Sequence, residues 1–324
     1  MAWLLNERGK KNTMNILVTG AAGFIGSHLC DRLLTQGHNI WGVDNLSLGK
    51  LENIEHLSSR KDFIFKKLEL SDSDELSKFI EGQSIETVFH FAANSDIQKG
   101  ITKTDLDLNY NLLTTYTVLE SMRLHEISDI VFSSTSAIYG RVKGQISEDY
   151  GPLFPTSLYG ASKLGSEGLI SAFCELFNFR AWIVRFPNVV GGRLTHGVIF
   201  DFLNKLKGNM EILEILGDGN QRKPYLHVDD LLDAILLLYD KKGNKINYFN
   251  VGVESSTSVD EIANIVISNY GNSNTKKIFT GGSIGWPGDV SSFKYNLDKI
   301  KDLGWSSSLT STQAVERAVK ENIK

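Results

Sequence analysis

Only two cysteines occur in 324 residues, Cys30 and Cys174, and neither stands at metal-ligand spacing. That scarcity suits a reducing compartment, so the expected location is the cytoplasm. No apolar run is long enough to span a bilayer, which removes a membrane from the expected partners. Neither sign of charge dominates: 34 basic residues are interspersed with 38 acids, for a net charge of −4. Nucleic acid and anionic membrane surfaces are therefore not expected as main partners. Internal repeats and low-complexity tracts are absent as well. The opening stretch, Met1 to Thr13, is mixed and basic and lacks the apolar core of a signal peptide. Residues 1–13 are expected to be a disordered extension, with Met14 directly before the first strand.

What is present is an ordinary apolar share, 41%, on a chain long enough for more than one minimal domain. Short apolar runs read as strands near Ile16–Thr19, Ile40–Asp44, Phe63–Leu68, Thr87–Phe91, Ile130–Ser134 and Trp182–Phe186. Helical patterns separate them. The first sets Ile25, Leu29 and Leu33 on one stripe, and longer ones run over about Asp105–His125 and Ser157–Asn178. Continuous apolar strands alternating with helices predict an α/β fold with a doubly wound parallel sheet of the Rossmann type. After Pro187, glycine-rich turns at Gly191-Gly192, Gly217-Asp218-Gly219 and Gly281-Gly282 break the alternation. A smaller, partly interleaved α/β domain is expected there. The sheet domain should span 14–188, with 225–250 returning to it through strands near Leu226–Val228 and Asn247–Val251. Residues 189–224 and 251–324 should form the smaller domain.

The run Asn15-Ile-Leu-Val-Thr-Gly20-Ala-Ala-Gly23-Phe-Ile-Gly26 reads as strand, glycine turn and helix start. Gly20 allows a tight turn, Gly23 admits a pyrophosphate to the backbone, and Gly26 lets helix and strand approach. Phosphates then rest on the helix N-terminus, where free N–H groups and the dipole favour anions. Asp44 ends the second strand. A carboxylate there accepts ribose hydroxyls and repels a 2′-phosphate, and no arginine follows, so the expected cofactor is NAD rather than NADP.

Thr135 ends the fifth strand, and Ser157-Leu-Tyr159-Gly-Ala-Ser-Lys163 opens a helix. Tyr159 and Lys163 stand at i and i+4 and share one face. An ammonium and a nicotinamide cation nearby both favour the phenolate, so Tyr159 is the expected base for a sugar hydroxyl. Lys163 should also hold the nicotinamide ribose, and Thr135 should bond the reacting oxygen. A Tyr-x-x-x-Lys pair is a common accident of helix surfaces; the glycine turn, Asp44 and Thr135 in this order make chance a poor account.

With these motifs the sequence, from Met14 onward, resembles the extended short-chain dehydrogenases/reductases called NAD-dependent epimerases/dehydratases. The resemblance implies further roles. Phe24, Ile25, Asn45, Glu69, Leu70, Ala92 and Ala93 would line the cofactor, with Phe89-His-Phe-Ala-Ala93 similar to the fourth-strand segment beside it. Asn111 matches the asparagine that braces the active site. Ser95, Ser136, Ala137, Asn188, Arg222, Trp286 and Asp289 would face the substrate. Asn188 and Arg222 stand in segments that meet the diphosphate, and His227-Val-Asp-Asp230 is a further landmark. Three departures matter. Ser136-Ala137 replaces the Asp-Glu pair with which family dehydratases expel water, so dehydration is not expected. Glu69-Leu70 replaces Asp-Ile, and Trp286 replaces an arginine, which bears on the choice of base, nucleotide and sugar.

The implied activity is oxidation of the 4-hydroxyl of a nucleoside-diphosphate sugar, foremost as a 4-epimerase. A 4-dehydrogenase that releases its keto sugar needs the same residues, and an NAD-sensing regulator without chemistry stands well behind. The texture of Tyr150-Gly-Pro-Leu, Thr195-His-Gly-Val-Ile-Phe, Lys223-Pro-Tyr-Leu-His and Gly285-Trp-Pro-Gly-Asp resembles a branch serving surface polysaccharides, including enzymes acting on a GDP-heptose. His90, His125, His196 and His227 form no metal-like cluster, and no metal is expected. Trp41, Trp182 and Cys174 read as core residues. The two long helices carry more apolar residues than one covered face requires: Leu112, Leu113, Tyr116, Leu119 and Met122 on one, and Leu164, Leu169, Ile170, Phe173, Leu176 and Phe177 on the other. In the resembling family these helices pair across a two-fold axis, so a homodimer or a dimer of dimers is expected, sensitive to Glu at Phe173 or Leu119.

Overall fold

The computed structural model describes residues 13–142, 144–241, 243–272, 274–282 and 293–323. Seven strands form one sheet: β1 (Asn15–Thr19), β2 (Asn39–Asp44), β3 (Phe63–Lys67), β4 (Thr87–His90), β5 (Asp129–Thr135), β6 (Arg180–Phe186) and β7 (Ile246–Asn250). Their spatial order is β7-β6-β5-β4-β1-β2-β3. β1 pairs in parallel with β2 and β4, and parallel pairing continues outward to β3 and to β5. The order reverses at β1, so a crevice opens at the carboxyl ends of β1 and β4, where such sheets bind ligands. The expected doubly wound sheet is therefore present.

Helix α1 (Phe24–Thr35) buries Leu29 and Leu33 and leaves Ile25 partly exposed. The second expected helix is not regular throughout. A π-helical turn, Leu108–Leu113, precedes α2 (Thr114–Leu124). Helix α3 (Leu158–Phe177) follows the expected span closely. Leu17, Val88, Ile130 and Phe132 of the sheet pack with Leu119 and Met122 of α2 and with Ile170, Phe173 and Cys174 of α3. Leu119, Met122, Ile170 and Phe173 are thus core residues, and Glu at Leu119 or Phe173 would test folding rather than assembly. The apolar side chains left in water include Leu108 and Leu113 of the π-helical turn, Tyr116 and Leu124 of α2, and Leu158, Leu176 and Phe177 of α3. Trp41, Trp182 and Cys174 are buried as expected.

By its contacts the chain divides into two compact units. One takes the residues up to Thr135, then Leu158–Arg185 and Ala234–Phe249; the other takes Ser136–Ser157, Phe186–Asp233 and the residues from Asn250 on. Three stretches depart from the sequence-based division, the shortest being Phe186–Asn188, expected in the sheet domain but found in the second unit. Residues 136–157 fall in the second unit, and of 225–250 essentially only 234–249 fall in the first. The strand Tyr225–His227 pairs in parallel with Asn188–Val190 in a two-stranded sheet of its own. Within the second unit, Phe202 and Leu206 pack with Leu213, Ile215, Ile262, Val315 and Val319. The helices Val259–Tyr270 and Ser311–Asn322 there each open on a capping box. Among the described residues no helix is long and apolar enough to cross a membrane.

Candidate active site

The glycine turn leaves no room for side chains at two positions. Gly20 has a φ of +71°, and a Cβ on it would lie 2.8 Å from Ala92 N. A Cβ on Gly26 would lie 2.0 Å from Gly20 O. The turn, the segment after β4 and the first turn of α1 therefore meet backbone to backbone. Gly23 caps α1 without a side-chain acceptor, and the first helical turn holds no acid. That helix end is disposed toward an anion. Phe24 is buried beside it.

Asp44 is buried at the end of β2, where its carboxylate accepts the Leu46 N–H at 2.8 Å and the Ala22 N–H at 3.0 Å. Burial nevertheless raises its pKa above the usual carboxylate value. Asn45 Nδ2 donates to Glu69 Oε2 at 2.9 Å, while Leu70 joins the sheet's core. Ala92 donates its N–H to Thr19 Oγ1 at 3.1 Å, and Ala93 is partly exposed. The close glycine turn, the uncapped helix end and the strand-end carboxylate together fit a dinucleotide.

At the end of β5 the Thr135 hydroxyl is hydrogen-bonded to Tyr159 in the first turn of α3. The ring of Tyr159 is partly exposed, but burial of its hydroxyl end pushes the phenol up to about 12; Thr135 opposes that shift and Asp107 adds to it. Lys163, one turn on, is buried. Its Nζ donates to Ser133 O at 2.8 Å and lies 4.6 Å from the centroid of the Phe132 ring. Burial lowers this ammonium to about 7, against the raising influence of Glu167 and Asp107. Burial thus works against the charged form of both groups, the phenolate of Tyr159 and the ammonium of Lys163.

The Lys163 shift carries a sign for stability. Below about pH 7 the folded chain must bury an ammonium that the unfolded chain leaves in water. Between about 7 and 10.5 only the unfolded chain holds that proton, so the penalty fades as pH rises. Lys163→Met is therefore expected to be more stable than wild type at about pH 6. The advantage should shrink on the way to about pH 9, by up to about 1.4 kcal/mol per pH unit. Urea unfolding of the cofactor-free protein measures this, and a gap that widens with pH would contradict it.

Asn111 sits in the π-helical turn. Its Oδ1 accepts the Asn94 N–H at 2.7 Å, and its Nδ2 lies 3.1 Å from Asp107 Oδ1 and 3.0 Å from Ser162 Oγ. Asn94 Nδ2 also donates to Asp107, at 2.9 Å. Sequence reasoning missed Asn94, Asp107 and Ser162. It also missed Glu167, which accepts from Ser134 Oγ and holds Arg185 through Nε at 3.0 Å and an outer nitrogen at 2.7 Å. A signal existed: Glu167 continues the i, i+4 stripe from Tyr159 through Lys163, and Asp107 stands four residues before Asn111.

The expected substrate-side residues are placed less tightly. Ser95 is partly exposed next to Asn94, and Ser136 and Ala137 open a short 3-10 turn, partly exposed. Asn188 is exposed at the start of its strand. Arg222 is exposed and already engaged, donating to Glu261 Oε1 at 2.7 Å and to Ser256 O at 2.8 Å. Trp286 and Asp289 lie outside the described residues. No cluster of three potential metal ligands occurs among the described residues.

A doubly wound sheet, a glycine turn and a Tyr-Lys pair at a strand-end threonine define an NAD-linked enzyme of the extended short-chain dehydrogenase/reductase type. The sequence model of the NAD dependent epimerase/dehydratase family matches residues 16–252, and the chain belongs to that family. It is 32% identical over 254 residues to a UDP-glucose 4-epimerase of Mycolicibacterium smegmatis, covering 77% of this chain and 80% of that one. A crystal structure of a UDP-galactose 4-epimerase superposes with a TM-score of 0.83 at 34% identity, covering 95% and 98% of the two chains. A UDP-glucuronic acid 4-epimerase from Bacillus cereus, in complex with UDP-glucuronic acid and NAD, superposes at 0.85 with 29% identity and the same coverage. The cofactor of the family is NAD.

Proposed function

We propose that this chain is a 4-epimerase of nucleoside-diphosphate sugars. The observation that carries the reading is Tyr159 bonded to Thr135 with Lys163 buried one turn behind, followed by Ser136 and Ala137 rather than by acids. The relatives named above, all UDP-sugar 4-epimerases, support it. Bound NAD supplies acceptance of a hydride from carbon 4 and its return. Tyr159 takes the proton of the 4-hydroxyl and gives it back after the sugar has presented its other face. Thr135 orients the oxygen, and Lys163, protonated, lowers the work of forming the phenolate. Neither Ser136 nor Ala137 can act as the acid or base that eliminates water. Asn94, Asp107 and Asn111 hold the segment after β4 against α3, and Asp44 takes the adenosine ribose.

Incubation of the enzyme with UDP-galactose, UDP-glucose and UDP-glucuronic acid, followed by proton NMR, tests the reading. The expected product is the C4 epimer with the cofactor returned oxidised. Accumulated reduced cofactor with a keto sugar would establish the dehydrogenase instead, and no turnover of any sugar nucleotide would end the proposal. We place the product among surface-polysaccharide precursors on the texture of 150–159 and 195–200, and the reaction in the cytoplasm on the scarcity of cysteine, two in 324 residues and both buried.

Two further outcomes are expected. Asp44→Asn removes the charge that repels a 2′-phosphate and weakens the ribose contact. Binding titrations should show the preference for NAD over NADP falling about ten- to a hundredfold, the equivalent of one charge-assisted hydrogen bond; an unchanged ratio would relocate the selectivity. We also propose a homodimer through α2, the π-helical turn before it and α3, whose exposed Tyr116, Leu113 and Leu176 need cover. Light scattering should give the mass of two chains, falling to one in Leu176→Glu, a position 73% exposed and therefore tolerant of charge.

A further inference from the structure

Three buried side chains outside the catalytic group are joined end to end. Thr19 closes β1, His90 closes β4 and Thr115 stands in the first turn of α2. Thr19 Oγ1 lies 2.7 Å from His90 Nδ1, and His90 Nε2 lies 3.1 Å from Thr115 Oγ1. The protons can be assigned. Thr115 has one hydroxyl proton and donates it to the Asn111 carbonyl at 2.6 Å. Its oxygen must then accept from His90, so Nε2 bears the ring proton and Nδ1 is bare. Nδ1 accepts the Thr19 hydroxyl, whose oxygen accepts the N–H groups of Phe91 and Ala92, each at 3.1 Å. Donation runs one way, from the backbone after β4 to the carbonyl of Asn111.

Both ends of this array touch the reaction. At one end Ala92 abuts Gly20 of the glycine turn. At the other, the Asn111 carbonyl also receives Ser166 Oγ of α3 at 3.4 Å, and the Asn111 side chain reaches Ser162. A second path closes the loop: Ser133 Oγ donates to His90 O at 3.1 Å, and Lys163 Nζ lies 3.3 Å from Ser133 Oγ. Burial and the neighbouring Lys163 hold the ring at about 3, so it stays neutral at working pH.

We propose that His90 is a positioning residue: a neutral, Nε2-protonated ring that fixes the glycine turn and the Tyr159–Lys163 helix in one register through Thr19 and Thr115. The inference rests on the epimerase reading for its kinetic consequences but not for its structural ones. Thr115→Val removes the acceptor for Nε2–H while keeping the side chain's shape, and Thr115→Ser keeps the hydroxyl. The valine variant is expected to lose about ten- to a hundredfold in kcat with KM for UDP-galactose nearly unchanged, the pattern of a misplaced catalytic group, and the serine variant to regain most of it. Nitrogen-15 NMR of the unliganded enzyme should show His90 neutral and Nε2-protonated from about pH 5 to 9, with that signal perturbed by valine. A cationic or Nδ1-protonated ring, or a valine variant with wild-type kcat, would overturn the proposal. If the wild-type enzyme epimerises no sugar nucleotide, the functional reading fails. The same variants are then read by NAD affinity, which valine should weaken several-fold and serine restore; equal affinity in all three would end the inference.

Discussion

Tyr159→Phe is expected to keep the fold and bind NAD as wild type does, while turnover of the accepted sugar nucleotide falls about two to four orders of magnitude. The substitution removes one oxygen from a partly exposed ring, so packing changes little. What disappears is the atom bonded to Thr135. In the unliganded protein that phenol is pushed up to about 12, a value at which it is a poor base at neutral pH. Positive charge must come close before it ionises, and Lys163 on the next turn is the only cation that α3 presents within one turn of it. The check is single-turnover kinetics on enzyme with defined cofactor loading. A variant that turns over within tenfold of wild type would mean that another group moves the proton.

Glu167→Ala is expected to destabilise the protein by about 3–5 kcal/mol, the usual result of removing one partner from a buried ion pair. Glu167 and Arg185 are each 7% exposed, and both carboxylate oxygens are used by the guanidinium. Alanine would leave the Arg185 charge in the interior without its carboxylate and would release Ser134. It would also remove the charge that most opposes the lowering of Lys163. Urea denaturation measures the loss. Replacing both partners with leucine should recover most of it, because well-packed apolar side chains often match a buried pair. A single variant within about 1 kcal/mol of wild type would contradict the account.

The sheet was legible because its inner strands β1, β2, β4, β5 and β6 are buried along nearly their whole length and are rich in apolar residues. Only the edge strands β3 and β7 are partly open to water. β5, from Asp129 to Thr135, is buried at every position. The glycine turn was legible for a related reason: the backbone contacts at Gly20 and Gly26 exclude any Cβ, so the chemistry permits one residue type there. Other features depend on directions that spacing does not encode. Leu119 and Leu113 look alike on a helical pattern, yet one is core and the other 45% exposed. The π-helical turn shifts the face of Asn111, and no propensity announces it. Arg222 matched a phosphate-binding segment, but its guanidinium is turned to Glu261 and Ser256. His90 registered in the sequence only as a histidine outside any metal-like cluster, because its partners Thr19 and Thr115 are remote in sequence and joined only by the fold.

The repeated passage of the chain between its two units has a consequence for how the protein is made. β6 has no neighbour on its outer side until β7, Ile246–Asn250, has been synthesised. Until then a nascent chain carries an apolar strand, Ala181-Trp-Ile-Val-Arg-Phe186, with an open edge. Open apolar edges recruit other chains. Ribosome stalling or proteolysis between Pro187 and Lys245 should therefore yield aggregates rather than a soluble nucleotide-binding fragment, and neither unit can be expressed as a single continuous stretch of sequence.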